Sequence, residues 1–284
     1  MPFRRIAVVG TGLIGGSFAL ALRKRFAGIS VIGYDRASTL VQARALGAID
    51  DAAADIASAV RGADLVYLAL PIGASIEALA TIAKHAEPHA LVTDAGSTKA
   101  LICRVAKDHF RGDAKFLGAH PMTGKEHSGI DHADPELFHK MPYLLMGPEA
   151  TVGAREKIFE EMIEAIGARP VWTDPETHDW GVGIVSHLPQ LLSVALARVV
   201  QDETDETGLP LSLAGPGLQD MLRLAGSPYD IWRDILLTNT DNVSRALDRL
   251  AQAVDYLRTN LARKELKEEF LAANELYKQL KKAT

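Results

Sequence analysis

Apolar and polar positions follow two different rhythms along this chain. Up to about residue 172, short runs of apolar and β-branched residues alternate with longer stretches of helical period. The runs at 5–10, 30–34, 47–49, 64–70, 90–94, 115–119, 144–146 and 169–172 predict strands. The stretches between them predict helices: one through Phe18, Leu20, Leu22 and Phe26, and others over about 53–61, 73–86 and 151–166. Strands that alternate with helices give a parallel sheet covered on both faces. Its central strands are then apolar throughout rather than at every second position. The fold class expected for this half is α/β.

From about Pro175 onward the strand pattern stops. Residues 176–202 predict one helix, apolar nearly all round through Ile184, Leu188, Leu191, Leu192, Val194 and Leu196. Such a helix is expected to be buried. Pro189 should kink it, with Ser186 and His187 at the kink, because proline lacks an N–H and crowds the preceding turn. Val243, Leu247, Leu250, Val254, Leu257 and Leu261 line one face of a long helix over 243–261. Leu266, Phe270, Ala273, Tyr277 and Leu280 do the same over 263–282. These apolar faces are more than one small helical body can bury, which predicts a homodimer through an all-helical dimerisation domain. The expected division is 1–172 and 173–284.

The first strand runs into Gly10-Thr11-Gly12-Leu13-Ile14-Gly15, which fits G-x-G-x-x-G. Gly10 permits the tight turn, Gly12 lets a pyrophosphate approach the backbone, and Gly15 lets helix and strand pack closely. The free N–H groups of the helix start, at Leu13 and Ile14, face the phosphates. The glycines alone are a weak signal, but strand, helix and next strand are all in place. This half therefore reads as a Rossmann-type dinucleotide-binding domain. The second strand ends in Asp35, 20 residues beyond Gly15, where a carboxylate bonds the adenosine ribose 2′-hydroxyl. It repels a 2′-phosphate and so favours NAD over NADP. Arg36 pulls the other way, and Asp35 also suits an ordinary strand-end turn. The loops after Gly10, Asp35, Leu70, Asp94 and Ala119 are expected to share one crevice at the strand ends, with Leu70 and Pro71 on its cofactor side.

Candidate chemistry gathers in that crevice. Residues 118–129 read GAHPMTGKEHSG. A strand end delivers His120, and a glycine loop follows. The histidine is placed to act as a general acid or base, or it merely bonds its own loop. Ser97, in Asp94-Ala95-Gly96-Ser97-Thr98-Lys99, either caps the next helix or bonds a substrate hydroxyl or His120. His187 and Ser186 are either a satisfied core pair or part of a site. Arg223 and Arg233 follow a glycine-rich helix entry and are candidate carboxylate clamps. One of them could instead tie its helix to a neighbour through Asp220 or Asp234.

Composition removes several alternatives. A net charge of −5 and a pI near 6.0 make no electrostatic case for nucleic acid. The lone Cys103 rules out an intramolecular disulfide and fits a reducing cytoplasm. The first strand is too short for a signal-peptide core or a membrane span, so no membrane is expected. His120, His127, His132 and His139 are crowded but lack metal-ligand spacing, and Pro88 separates His85 from His89; no metal is expected. No G-x-S-x-G elbow is present.

Together these motifs resemble the prephenate and arogenate dehydrogenase family of tyrosine biosynthesis. VVGTGLIGGSFALAL is similar to its cofactor loop, TDAGSTK to its serine loop and GAHPMTGKEHSG to its catalytic histidine loop. VSHLPQ resembles its kinked-helix histidine, and LQDMLRLAGSPYDIWRDI its arginine segment. The resemblance runs from about residue 5 to 245. It implies NAD-dependent oxidative decarboxylation of prephenate to 4-hydroxyphenylpyruvate, or of arogenate to tyrosine. It implies His120 and Ser97 at the reacting carbon, His187 and Arg223 at the substrate, and Lys125 and Glu126 at the mouth of the site. Two departures stand out: Gly215-Pro216-Gly217 where the family often has a run of glycines, and Lys125 where several relatives are neutral. The chain is expected to lack a C-terminal regulatory module or a fused mutase. A hydroxy-acid dehydrogenase of the wider two-domain group would call for a lysine on the first helix of the helical half. That region offers Ser186 and His187 instead. A dinucleotide-sensing protein would need the cofactor loop but not His120, Ser97 and Arg223 together.

Overall fold

The computed structural model describes residues 3–125, 127–147, 152–204, 207–263 and 266–283. Six parallel strands form one sheet in the order 3-2-1-4-5-6. They are β1 (Arg5–Val9), β2 (Ser30–Tyr34), β3 (Asp51–Ala52), β4 (Leu65–Leu68), β5 (Leu91–Asp94) and β6 (Lys115–Leu117). The connecting helices are α1 (Leu13–Arg25), α2 (Ala37–Ala45), α3 (Ile56–Val60), α4 (Ile72–His85) and α5 (Ala100–His109). In β1, Ile6 and Val8 join a core with Phe18 and Leu22 of α1, while Ala7 and Val9 join one with Leu79 and Ile82 of α4. The continuous apolar run is thus two alternating faces, each sealed by its own layer. The strand order reverses between β1 and β4, opening a crevice at their carboxyl ends.

A second sheet joins β7 (Ala119–Pro121), β8 (Pro142–Met146) and β9 (Arg169–Thr173), with α6 (Ala154–Ala165) before β9. Strand β7 runs antiparallel to β8, and β8 parallel to β9. The single strand expected over 115–119 is therefore two strands in different sheets, parted at Gly118. A Cβ there would lie 2.5 Å from Cys103 Sγ and 3.0 Å from Met146 Cγ. The chain passes between sheets where only glycine fits. The Tyr67 hydroxyl of β4 and the Tyr143 hydroxyl of β8 bond at 3.0 Å and tie the two sheets, while Phe18 stacks on Tyr67 at 3.9 Å.

The strand expected at 47–49 is not one. Gly47, at φ +72°, ends α2, and the Ala48 N–H bonds the Ala43 carbonyl across it. This glycine cap occupies the backbone groups a strand would need, and pairing with β2 starts only at Asp51.

The helical half begins with α7 (Pro175–Val182), a π-turn (Gly183–His187) and α8 (Leu188–Asp202). Then come α9 (Leu209–Ser212), α10 (Pro216–Leu222), a 3₁₀ turn (Arg223–Gly226), α11 (Tyr229–Thr238), α12 (Thr240–Thr259) and α13 (Leu266–Ala283). The helix expected over 176–202 thus carries a π-turn where a proline kink was predicted. Pro189 has no N–H for the Val185 carbonyl, and the Leu188 N–H instead reaches back five residues to Gly183. Nor is this helix buried on all sides within the chain. In α8 only Gln190 and Ser193 are buried, while Val194 and Val199 are exposed. By length and composition the run from Pro175 to Asp202 could cross a membrane. Its polar residues argue for a protein interior: His178, Asp179, His187, Gln190 and Ser193 are all buried and hydrogen-bonded.

Gly118→Ala should lower unfolding stability by about 1–3 kcal/mol through overpacking, read from urea denaturation. Adding Cys103→Ala, which removes the nearest clashing atom, should recover part of the loss. A parent-like midpoint for Gly118→Ala alone would show that the passage between the sheets is not tight.

Candidate active site

The cofactor side of the crevice is built by backbone. Gly10 has φ +97°, and a Cβ there would lie 2.6 Å from the Ala69 carbonyl carbon and oxygen. A Cβ at Gly15 would strike the Gly10 carbonyl oxygen, whereas at Gly12 it would meet nothing within 4 Å. That open space, at the uncapped N-terminus of α1 where Leu13 and Ile14 begin the helix, is what a pyrophosphate requires. Asp35 Oδ2 accepts the Thr11 N–H at 2.7 Å and Oδ1 the Arg36 N–H at 2.7 Å, so the carboxylate is fixed against the glycine loop. The exposed Arg36 guanidinium lies 4.0 Å from it. Asp35, Arg36, Leu70, Glu77 and Thr81 line a cleft of about 460 Å³, with Pro71 at the start of α4 beside it. These residues fit a dinucleotide. Bound there, it would supply a hydride acceptor.

The histidine side of the crevice is held by a buried ion pair. Lys99 Nζ bonds Asp94 Oδ2, with both side chains wholly buried, and also donates to the Ala119 carbonyl at 2.8 Å. Asp94 further accepts N–H groups from Gly96 at 2.9 Å and Ala119 at 3.1 Å. The serine loop and β7 are thereby pinned together, and His120 follows Ala119. His120 is 8% exposed, and its Nδ1 lies 2.9 Å from His178 Nε2. His178 Nδ1 lies 2.8 Å from Asp179 Oδ1. Asp179 also accepts the N–H groups of Lys99 at 2.7 Å and Ala100 at 2.9 Å. It therefore caps α5, the role considered for Ser97. Ser97 is partly exposed, and its hydroxyl makes no hydrogen bond among the described residues.

His187 sits one step away. Buried Asn239 donates to the Asp179 carbonyl at 2.7 Å and lies 3.2 Å from His187 Nδ1, and Trp232 packs edge-on to the His187 ring at 5.8 Å. The two arginines separate. Arg233 bonds Asp234 at 3.1 Å, and Asp234 accepts the Gly73 N–H at 2.9 Å, so this pair docks α11 onto α4. Arg223 opens the 3₁₀ turn with an exposed side chain. Gln190 of α8 holds that turn through the Leu224 carbonyl, and Ser193 accepts the Ala225 N–H while donating to the Met221 carbonyl of α10. Lys125 reaches Asp134 and the His132 carbonyl, both at 3.1 Å, so its charge is engaged within its own loop. Glu126 lies outside the described residues.

Burial pushes the His120 pKa well below the ordinary histidine value, and the His178 ring, the Lys99 ammonium and His187 push the same way. Burial lowers His187 to about 4, against the pull of Asp179. Both rings are neutral at pH 7. His178, Asp179, Lys99 and Asn239 carry much of this arrangement and were not among the expected site residues. The available signal was a His-Asp pair near the start of the otherwise largely apolar run over 176–202.

A nucleotide-type sheet and a helical half that jointly enclose a buried histidine define a two-domain dinucleotide-dependent dehydrogenase. A family model described as prephenate dehydrogenase, nucleotide-binding domain, matches residues 18–172, and one described as its dimerization domain matches 174–280. The chain belongs to the prephenate dehydrogenase family. It is 33% identical over 256 residues to prephenate dehydrogenase of Bacillus subtilis, covering 89% of this chain and 69% of that protein. The Aquifex aeolicus prephenate dehydrogenase solved with hydroxyphenyl propionate and NAD+ superposes with a TM-score of 0.89 at 26% identity, over 100% of this chain and 99% of that one. Synechocystis arogenate dehydrogenase gives 0.81 at 30% identity, over 99% of this chain and 100% of that one.

Two predictions follow from these groups. A histidine held neutral in the fold contributes stability that is complete above the unfolded value of about 6.5 and is lost as pH falls toward its folded value. For His187 the loss should approach about 3 kcal/mol between pH 6.5 and pH 4, and His187→Gln should flatten that slope in urea denaturation. An unchanged slope would mean that His187 takes a proton without leaving its place. For the cofactor, Asp35→Ser should weaken NADH binding and improve NADPH binding, each read by nicotinamide fluorescence. Equal affinities in the parent would show that Arg36 outweighs the carboxylate.

Proposed function

We propose that this chain catalyses the NAD-dependent oxidative decarboxylation of prephenate to 4-hydroxyphenylpyruvate in tyrosine biosynthesis, with arogenate as a second, poorer substrate. The observation that carries the proposal is a buried, neutral His120 pinned at the crevice mouth by the Asp94–Lys99 pair. Prephenate has a hydroxyl and a hydrogen on one ring carbon and a carboxylate on the opposite one. Hydride leaves to NAD, the carboxylate leaves as carbon dioxide, and the ring becomes aromatic. Aromatisation drives the reaction, so the protein mainly aligns the substrate and polarises its hydroxyl. His120 takes or polarises the hydroxyl proton, and the unengaged Ser97 hydroxyl orients the same group. Arg223 holds a substrate carboxylate, with His187 on the same side. NAD is favoured over NADP by Asp35.

We also read residues 1–172 as the nucleotide-binding unit and 173–284 as the unit of a homodimer. Val185, Val194, Val199, Val254, Leu257 and Phe270 are exposed in the single chain and give a partner copy its surface. The lone cysteine suits a cytoplasmic protein. A lysine at the mouth of the site attracts the keto-acid carboxylate of prephenate and repels the ammonium of arogenate, so Lys125 favours prephenate. Its bond to Asp134 weakens that preference, because a paired ammonium presents less charge to a ligand.

Turnover with NAD should be higher for prephenate than for arogenate. His120→Asn should lower kcat by about 10²–10⁴-fold while NADH affinity stays near the parent value. The acid limb of the parent's rate profile should lie below the ordinary histidine pKa of about 6.5, because the ring is buried beside Lys99. Arg223→Ala should raise KM for both substrates by about tenfold or more. Full activity in His120→Asn would remove it from the reaction, and a parent that oxidises neither substrate would overturn the proposal.

A further inference from the structure

We propose that His178 and Asp179 are positioning residues that decide which nitrogen of His120 is the base. This rests on the reading of His120 as the proton acceptor.

The argument starts from the carboxylate. An ionised aspartate accepts hydrogen bonds and donates none. Asp179 Oδ1 lies 2.8 Å from His178 Nδ1, so His178 carries its proton on Nδ1. With a single proton on its ring, His178 then presents Nε2 as a bare acceptor. That atom lies 2.9 Å from His120 Nδ1, so His120 in turn carries its proton on Nδ1. One lone pair is left, on His120 Nε2, which has no hydrogen-bond partner among the described residues. The direction of every bond is set from one end of the chain by a single charge.

The carboxylate itself cannot swing away. Its two oxygens also take the N–H groups of Lys99 and Ala100 at the start of α5. Asn239 holds the Asp179 carbonyl at 2.7 Å. Positive charge near His120 comes from Lys99, whose ammonium is matched by Asp94, and His187 approaches from the π-turn. When His120 Nε2 takes the substrate hydroxyl proton, the ring becomes a cation with two N–H groups. Its Nδ1–H bond to His178 is then charge-assisted. The Nδ1 proton can shift onto His178 Nε2, which moves the positive charge next to Asp179 and leaves the total unchanged. Without His178, a buried N–H loses its partner and either tautomer of His120 becomes available.

The arrangement also spans the two halves. His120 and Lys99 belong to the nucleotide half, and His178 and Asp179 to the first helix of the other. The base is oriented only when that helix is docked.

The test compares the parent with His178→Gln, whose amide oxygen can still accept the His120 Nδ1–H, and His178→Leu, which cannot. Nitrogen-15 spectra of the histidine rings, taken without substrate, report the tautomer directly. The parent and His178→Gln should show His120 protonated on Nδ1, and His178→Leu should show Nε2–H or a mixture. In turnover with NAD and prephenate, His178→Leu should lose on the order of 10²-fold in kcat, and His178→Gln less than tenfold. KM for prephenate and the affinity for NADH should stay near parental values in both. A parent with His120 protonated on Nε2 would overturn the proposal, as would equal losses in the two variants or a parental kcat in His178→Leu. Should His178→Leu fail to fold, the parent and His178→Gln spectra still decide. The spectra also stand if prephenate proves not to be the substrate, so the two failures are distinguishable.

Discussion

A lysine and an aspartate with no solvent contact hold the centre of this molecule. Removing two charges from water is expensive, and their attraction offsets that only when the remaining polar atoms are also bonded. Lys99 and Asp94 meet this condition. Besides each other they bond both backbone groups of Ala119, and Asp94 takes the Gly96 N–H as well. Four pieces of chain therefore meet at one point: the end of β5, the serine loop, the start of α5 and β7. His120 is the next residue along β7, so its place depends on this pair. The ammonium also acts at a distance, helping burial to keep the imidazole neutral.

The second dependence is between the halves. Asp179 caps a helix of the nucleotide half from a helix of the other half, and its neighbour His178 reaches His120. Asp234 of α11 holds Gly73 at the start of α4, and Thr238 bonds Thr98 at 2.7 Å. These contacts converge on the loops at the carboxyl ends of the strands, where an open α/β sheet places its ligands. The glycine loop and the buried histidines thus lie on one seam.

The helical half is less complete within one chain. Its inward residues are well satisfied, with Gln190, Ser193 and Asn239 all bonded to neighbouring backbone. Its apolar stripes are not covered, and the residues that mark helical period in α12 and α13 are largely exposed. The match to a dimerization-domain model accounts for a half organised in this way.

The sequence by itself determined the alternation of strands and helices, the glycine loop, the strand-end acid at Asp35 and the histidine at 120. Each of these depends on local order: β-branched runs, glycines at fixed spacing, or a residue at the end of an apolar run. Periodicity also located the long helices, because an apolar stripe repeats whether or not its partner is visible. The tertiary structure alone decided that 115–119 divides between two sheets, since Gly118 matters only once Cys103 and Met146 lie beside it. It alone replaced Ser97 by Asp179 as the cap of α5, because local sequence cannot reveal a carboxylate arriving from about 80 residues away. It separated Arg233 from Arg223 by bringing Gly73 to Asp234. A pattern along the chain records what each residue prefers, whereas a hydrogen bond between distant residues exists only after packing has brought its two ends together.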